Sequence, residues 1–180
     1  MQFLSKHPAA ESTESVYSIL DLGTGSGAIA LAIASERPHA RITGVDVSPA
    51  ALDIAIQNSR DLGLSHIAWR LGSWFTPVAG ERFHLIVANP PYIRSADPAL
   101  EKLSAEPTLA LCDGPTGLES LSAIVEDAAV HLHEHGRLIL EHGCDQAPDV
   151  ARLMARHHFT DIRSHVDFSG KPRVTLGTLH

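Results

Sequence analysis

Residues 16–34 read Val-Tyr-Ser-Ile-Leu-Asp-Leu-Gly-Thr-Gly-Ser-Gly-Ala-Ile-Ala-Leu-Ala-Ile-Ala. The first part of this stretch is a short apolar run typical of a buried strand, and the last part is an apolar run typical of a helix. Between them lies the glycine-rich turn Gly23-Thr24-Gly25-Ser26-Gly27. The stretch therefore predicts a strand, a tight turn and a helix.

The alternation of strand and helix continues along the rest of the chain. Apolar periodicity, caps and turn residues predict further strands at residues 41–46, 66–71, 83–88 and 136–141, and further helices at residues 49–62, 117–135 and 146–157. Residues 162–166 and 173–176 are predicted to pair as a terminal hairpin. This order predicts an α/β fold with an open, doubly wound, mostly parallel sheet, whose ligands bind at the carboxyl ends of the strands.

Length and composition bound the class of protein. The 180 residues include 44% hydrophobic and 19% charged ones, which is typical of one soluble globular domain. We expect that domain at residues 16–180, after a flexible, polar lead-in at residues 1–15. The lead-in lacks the apolar region of a secretory signal, and no apolar run is long enough to span a membrane. Cys112 and Cys144 form no CxxC pair, so we expect free thiols and a cytoplasmic location.

The charge balance weighs against one class of partner. The formal net charge is −7, whereas proteins that wrap nucleic acid electrostatically use an excess of Lys and Arg to neutralise phosphates. The arginines of this chain are scattered rather than clustered. Broad wrapping of nucleic acid is therefore not expected, although a local basic patch stays open.

The glycine-rich turn is suited to holding a cofactor. Glycines let a ligand approach the backbone, and the N-terminus of the following helix offers N–H groups and the positive end of its dipole. The spacing Gly23-x-Gly25-x-x-Ala28, with Asp46 at the end of the next strand, also satisfies the dinucleotide-binding pattern. The turn alone therefore leaves NAD and S-adenosylmethionine as alternatives.

Further residues favour S-adenosylmethionine. Asp21 stands just before the turn, where a carboxylate repels a pyrophosphate and attracts the ammonium of a methionine tail. Asp46 is placed to hold two ribose hydroxyls. The segment Asn89-Pro90-Pro91-Tyr92 follows a later strand and has no evident role in hydride transfer. These features together favour methyl transfer over dehydrogenation.

Asn89-Pro90-Pro91-Tyr92 is the predicted catalytic and substrate-binding segment. A proline fixes φ, lacks an N–H and disfavours helix at the preceding residue, so Asn89 is presented on rigid backbone at the end of a strand. Asn89 Oδ1 and the Pro90 carbonyl are placed to accept the N–H groups of a planar NH₂, while the Tyr92 ring stacks on its plane. We therefore predict catalytic roles for Asn89, Pro90 and Tyr92, with Pro91 as a further substrate contact.

These motifs together resemble the release factor glutamine methyltransferases, the PrmC/HemK family, from about residue 16 to the C-terminus. The matching residues are Asp21–Ala32, Gly44–Asp46, Trp74-Phe75, Asn89–Ile93, Glu106-Pro107, Gly117-Leu118 and Asp167 through Gly170 to Arg173. The resemblance implies the class I S-adenosylmethionine-dependent methyltransferase fold, which is Rossmann-like and has seven strands. It also implies that the methyl acceptor is the glutamine of the Gly-Gly-Gln motif in peptide chain release factors.

The resemblance also assigns the cofactor contacts. S-adenosylmethionine is the expected cofactor, and S-adenosylhomocysteine is its product. The family motifs match at Gly23, Thr24, Gly25, Ser26, Gly27, Asp46, Trp74 and Asn89, and together with Asp21 these are the expected cofactor-binding residues. Asn89 through Tyr92 match the glutamine-binding motif of the family.

The chain departs from the family pattern in two respects. It has neither the N-terminal helical domain of the family nor its Pro-Arg-Pro-x-Thr-Glu segment, so we expect a catalytic domain alone. Ser73 also stands where the family usually has an acid before Trp74. The alternatives are methylation of a ribosomal-protein glutamine, methylation of an adenine amine in nucleic acid, and an inactive remnant that binds S-adenosylmethionine.

Other polar clusters are interpreted as structural. His131, His133, Glu134 and His135 are expected at a solvated helix end rather than around a metal, because residues two apart on a helix do not share a face. No metal is therefore expected. Asp113-Gly114 and Glu119 are interpreted as loop and helix-cap residues.

Overall fold

The computed structural model describes residues 16–97 and 111–180, so the predicted lead-in and the middle of the long connection at 95–116 lie outside the described residues. Seven strands are described: β1 Ser18–Leu22, β2 Arg41–Asp46, β3 Ala68–Leu71, β4 Phe83–Ala88, β5 Leu132–Glu141, β6 Phe159–Val166 and β7 Pro172–Leu179. Four α-helices are described: α1 Ala28–Glu36, α2 Pro49–Asp61, α3 Glu119–His131 and α4 Ala147–Arg156. A short 3₁₀ turn lies at Thr76–Val78.

All seven strands form one sheet in the order β3-β2-β1-β4-β5-β7-β6. The first five in this order run parallel, whereas β7 runs antiparallel to both β5 and β6. This topology confirms the predicted doubly wound sheet and its terminal hairpin. The strand order reverses between β1 and β4, and such a switch point opens a crevice at the carboxyl ends of the strands.

Strand β1 lies at the centre of the core. Its side chains alternate between two apolar clusters, because successive residues of a strand point to opposite faces of the sheet. Leu20 and Leu22 join the cluster covered by α3 and α4, while Ile19 joins the cluster covered by α1. Leu20 is fully buried, and burial of a leucine side chain stabilises a fold by about 1.5–3 kcal/mol.

The predicted C-terminal end of the helix at residues 117–135 is wrong. α3 ends at His131, and β5 already begins at Leu132, which is buried and pairs with Phe83. The pairing then shifts so that Leu85 faces Arg137, which leaves a bulge that contains His135 with a φ of 61°. Burial of Leu132 against β4 thus overrides a sequence that reads as a continuing helix.

The histidines of this region are consequently not at a solvated helix end. The His131 ring stacks on Phe75 at 4.6 Å, and its Nδ1 lies 3.0 Å from the Glu81 carbonyl oxygen. His133 lies on β5 with its ring centroid 4.4 Å from that of His84. Within residues 16–97 and 111–180, no group of three or more His, Cys, Asp or Glu side chains could hold a metal ion. In the same ranges no helix has the length and apolarity to cross a membrane.

A tryptophan packs closely against β2 and the glycine-rich turn. A Cβ on Gly44 would lie 2.5 Å from Cζ3 of Trp69, and one on Gly27 would lie 2.9 Å from Cη2 of the same ring. Both distances are shorter than any ordinary contact. Gly44 and Gly27 therefore make room for the Trp69 indole, which connects β3 to the base of the turn.

We predict that Gly44→Ala lowers the free energy of unfolding by about 1–3 kcal/mol, because the added methyl group overpacks the Trp69 ring. Urea unfolding measures this loss. The matched background is Trp69→Leu, in which the same substitution should cost less, since the double-mutant cycle isolates the contact. Equal losses in both backgrounds would contradict the contact as the cause.

Candidate active site

The predicted site residues meet at the carboxyl edge of the central strands. Leu22 at the end of β1 pairs with Val45 of β2 on one side and with Ala88 of β4 on the other. Asp46 and Asn89 directly follow these two partners. The glycine-rich turn therefore emerges between the carboxylate of Asp46 and the segment that begins at Asn89.

The glycine-rich turn has the backbone conformation that its sequence predicts. Gly23, Gly25 and Gly27 have φ values of 65°, 56° and 82°, a left-handed region that favours glycine. The Thr24 N–H donates to the Val45 carbonyl at 2.9 Å, which ties the turn to β2. A Cβ on Gly25 would meet no described atom within 4 Å, so the turn is open to a ligand there.

Asp21 lies beneath this turn with one oxygen unsatisfied. Its side chain is 1% exposed, and its Oδ2 accepts hydrogen bonds from Thr24 Oγ1 at 2.6 Å and Ala30 N at 3.1 Å. Its Oδ1 is buried and has no hydrogen-bond partner among the described residues. Burial raises the pKa of Asp21 to about 6, although the hydrogen bonds from Thr24 and Ala30 counteract part of that shift. A buried carboxylate in this state favours a cation or a hydrogen-bond donor beside it.

Asp46 is held rigidly beside the turn. Its Oδ2 accepts from Gly25 N at 2.8 Å, and its Oδ1 accepts from Ser48 N at 2.9 Å. A carboxylate oxygen has more than one lone pair, so both oxygens retain the capacity to accept from a ligand. Asp46 therefore keeps the capacity to accept hydrogen bonds beside the turn, and its role toward ribose hydroxyls stays a prediction.

Two further predicted cofactor residues, Trp74 and Ser26, lie at the turn. A Cβ on Gly23 would lie 3.5 Å from Cζ3 of Trp74, so the indole is next to the start of the turn, and its role toward a cofactor stays a prediction. Trp74 adopts a φ of 43°, an uncommon conformation for a bulky residue. Ser26 is exposed, and its carbonyl accepts from Asn58 Nδ2 at 2.9 Å. Asn58 was not predicted as a site residue, because a helix-surface asparagine carries no sequence signal of a contact with a distant turn.

The acceptor segment, residues 89–92, presents its polar groups at the end of β4. Asn89 is exposed, and its side chain makes no hydrogen bond to the residues that the structure describes. Pro90 is buried, whereas Pro91 and Tyr92 are half-buried. The Tyr92 hydroxyl lies 3.5 Å from Glu141 Oε1, which places the ring near the end of β5. The structure thus leaves the Asn89 amide open to an external group.

The loop and helix-cap interpretation of Asp113 and Glu119 is confirmed. Asp113 accepts from Ser120 N at 2.8 Å and Ser120 Oγ at 2.7 Å, which caps α3. Glu119 accepts from Thr116 N at 3.1 Å and from Leu118 N at 3.0 Å. A further buried side chain near the site, Gln146, was predicted only as part of a helix.

Comparison with known proteins identifies close relatives. A family model described as a methyltransferase domain matches residues 13–164. The chain is 47% identical over 161 residues to a release factor glutamine methyltransferase of Xylella fastidiosa, with 88% of this chain and 58% of that protein covered. It is 40% identical to the enzyme of the same name from Escherichia coli, with the same shares covered. The chain thus spans less than two thirds of the length of these relatives.

Solved structures share the fold. The crystal structure of a ribosomal protein L11 methylase from Lactobacillus delbrueckii subsp. bulgaricus superposes with a TM-score of 0.65 at 23% identity, covering 94% of this chain and 73% of that chain. A magnesium protoporphyrin IX methyltransferase from Synechocystis, solved with bound SAM, gives a TM-score of 0.63 at 15% identity and covers 92% of this chain and 71% of that chain. Both confirm the predicted class I methyltransferase fold.

We predict that the Asp21 carboxyl titrates near pH 6 rather than at its ordinary value of 3.8, because burial disfavours its charge. The raised pKa means that this carboxyl contributes stability below pH 3.8 that is lost as the pH rises through about 6. Carbon-13 NMR of the side-chain carboxyl, assigned with Asp21→Asn, measures the midpoint. Thr24→Val should raise it further, since it removes a hydrogen bond to the charged form; an ordinary midpoint would contradict the burial argument.

Proposed function

The chain belongs to the methyltransferase domain family, and from this membership we propose that it transfers a methyl group from S-adenosylmethionine to a glutamine side-chain amide in a protein. The proposed substrate is the Gly-Gly-Gln glutamine of peptide chain release factors. One observation carries this proposal: β1 pairs with β4 on one side and β2 on the other, so that the glycine-rich turn leaves the sheet between Asn89 and Asp46. The names of the relatives support the choice of substrate.

The side chains around the glycine-rich turn fit this cofactor. The unsatisfied Oδ1 of Asp21 lies beneath the turn. Its negative charge attracts the ammonium of a methionine tail bound at the turn. Asp46 accepts from the ribose hydroxyls, and the Trp74 indole offers an apolar surface to the adenine. When bound, the cofactor supplies an electrophilic sulfonium methyl group and leaves as S-adenosylhomocysteine. Because a cation favours ionised Asp21, the affinity for the cofactor should fall as the pH drops below about 6.

The acceptor segment localises an amide nitrogen. Amide nitrogen is a weak nucleophile because its lone pair is delocalised. Asn89 Oδ1 and the Pro90 carbonyl each accept one N–H of the substrate NH₂, and the Tyr92 ring stacks on the amide plane. These contacts fix the nitrogen so that its lone pair points at the methyl carbon, and such placement contributes roughly 7–11 kcal/mol to lowering a barrier. The nitrogen becomes acidic on methylation, and its proton leaves to water or to Asn89.

The setting supports a protein acceptor in the cytoplasm. The net charge of −7 disfavours broad contact with nucleic acid, which weighs against an adenine acceptor. Cys112 and Cys144 are both free thiols, as expected in a reducing compartment. The release factor is accordingly the partner that we propose.

Transfer assays with labelled S-adenosylmethionine test this function. The acceptors are a release factor, the same factor with its Gly-Gly-Gln glutamine replaced by alanine, ribosomal protein and DNA. Label on the first alone is the expected result. Label on ribosomal protein or only on DNA would contradict the proposed acceptor, and tight cofactor binding with no transfer to any acceptor would identify an inactive binding domain.

We predict that Asn89→Ala lowers kcat by at least about 100-fold, because the acceptor nitrogen loses one of its two fixing contacts. Its cofactor affinity should stay within about tenfold, since the segment mainly orients the acceptor. Asp46→Ala is the contrasting variant, in which cofactor affinity should fall. Steady-state kinetics and calorimetry measure both quantities. Unchanged turnover in Asn89→Ala would remove this side chain from the mechanism.

A further inference from the structure

The connection between β5 and α4, residues 142–146, lies against the backbone of the acceptor segment through one buried amide. Gln146 is 3% exposed. Its Nε2 donates to the Tyr92 carbonyl at 3.1 Å and to the Gly117 carbonyl at 2.9 Å, while its Oε1 accepts from Gly143 N at 2.8 Å. Both N–H groups and the oxygen of this amide are therefore used.

Gly117 lies close to both partners of the hydrogen bond between Gln146 and Tyr92. A Cβ on Gly117 would lie 2.5 Å from the Tyr92 oxygen and 3.0 Å from Gln146 Nε2. Gly117 has a φ of 72°, a conformation that favours glycine. A side chain at position 117 would therefore displace the Tyr92 carbonyl or the Gln146 amide.

Two other side-chain contacts at or just after the segment are weaker. The Tyr92 hydroxyl reaches Glu141 at 3.5 Å, the limit of a hydrogen bond. Arg94 pairs with Asp145 at 2.9 Å, but both side chains are more than half exposed, and exposed ion pairs contribute little. The Gln146 amide is therefore a buried side-chain anchor of the segment.

We infer that Gln146 is a positioning residue for the acceptor segment, an inference that rests on the proposed function. Pro91 separates the Pro90 carbonyl from Tyr92, and its ring fixes φ. A carbonyl held at Tyr92 consequently constrains the direction of the Pro90 carbonyl and of Asn89. Gln146 acts through these residues and does not touch the acceptor itself.

The chemistry at this position requires an amide. Two carbonyl oxygens face the Nε2 of Gln146, and only a group with two N–H donors satisfies both. An ionised glutamate would present a charged acceptor to two acceptors, and a methionine would leave both carbonyls without their donor; unsatisfied buried groups of this kind are costly. Gln146→Glu and Gln146→Met therefore both remove the two donor contacts, but only Gln146→Glu also introduces a negative charge.

The test compares these two variants with the full chain and with Ser59→Ala. The control removes a part-buried hydrogen bond, at 2.7 Å, from Ser59 Oγ on helix α2 to the Leu64 carbonyl in the loop that follows this helix. Transfer to a release factor gives kcat and the acceptor KM, calorimetry gives the cofactor Kd, and amide hydrogen exchange reports the order of residues 92–95. If Gln146→Glu does not fold, the comparison relies on Gln146→Met, which keeps the side-chain length.

We expect kcat/KM for the acceptor to fall about 10- to 100-fold in both variants, because small misplacements near the reacting atoms have effects of this size. The cofactor Kd should stay within about threefold, since the glycine-rich turn is untouched. Exchange at residues 92–95 should become faster. Ser59→Ala should leave kcat/KM, the cofactor Kd and the exchange at residues 92–95 unchanged, although it lowers the free energy of unfolding.

A pH profile separates positioning from a loss of stability alone. Burial raises the pKa of a carboxyl, and a protonated glutamate regains one O–H donor for one of the two carbonyls. The ratio of Gln146→Glu to wild-type kcat/KM should therefore rise as the pH is lowered from 8 to about 5.5. Circular dichroism checks that the variant is fully folded at each pH, and in a fully folded variant a purely structural role would leave this ratio flat.

The outcomes for this inference and for the proposed function are distinct. A wild-type chain that transfers to no glutamine would overturn the proposed function, and exchange at residues 92–95 would then decide the role of Gln146 alone. Unchanged exchange in the Gln146 variants would overturn the inference. Faster exchange with wild-type kcat/KM would also overturn it, because the anchor would then have no effect on the acceptor.

Discussion

The pairing of β1 with β4 is the constraint on which the rest of the structure depends. Leu22 and Ala88 lie side by side at the point where the strand order reverses. The loop after β1 and the loop after β4 therefore leave the sheet at adjacent positions. A donor pocket and an acceptor pocket can form next to each other only because this register holds, and full burial of β1 makes a slip of the strand costly.

The two pockets are built by different means. On the donor side backbone N–H groups make the fixing contacts, since Asp46 accepts from Gly25 N in the turn and from Ser48 N at the start of the next helix. On the acceptor side a side chain makes them, since Gln146 donates to the Tyr92 carbonyl 54 residues away. Rigidity comes from backbone amides in the first case and from a buried side-chain amide in the second.

This difference explains how much could be predicted from the sequence. The glycine-rich turn, Asp46 and Asn89 were found because each follows a strand with a recognisable pattern. The start of α2 was predicted at residue 49, where the structure shows Ser48 capping the helix by accepting from Ala51 N. Gln146 and Asn58 were missed as site residues because their partners are distant in the chain. The start of β5 was misplaced because burial of Leu132 is a tertiary effect.

The unsatisfied oxygen of Asp21 has a consequence for how ligand affinity arises. Its carboxylate has lost its hydration shell already on folding, at 1% exposure, and lacks a full set of replacement partners. The desolvation cost of this charge consequently falls on the stability of the ligand-free protein rather than on the association step. A cation that binds at the turn therefore interacts with a counter-charge that is already desolvated. The ligand-bound protein should have a higher Tm than the ligand-free protein.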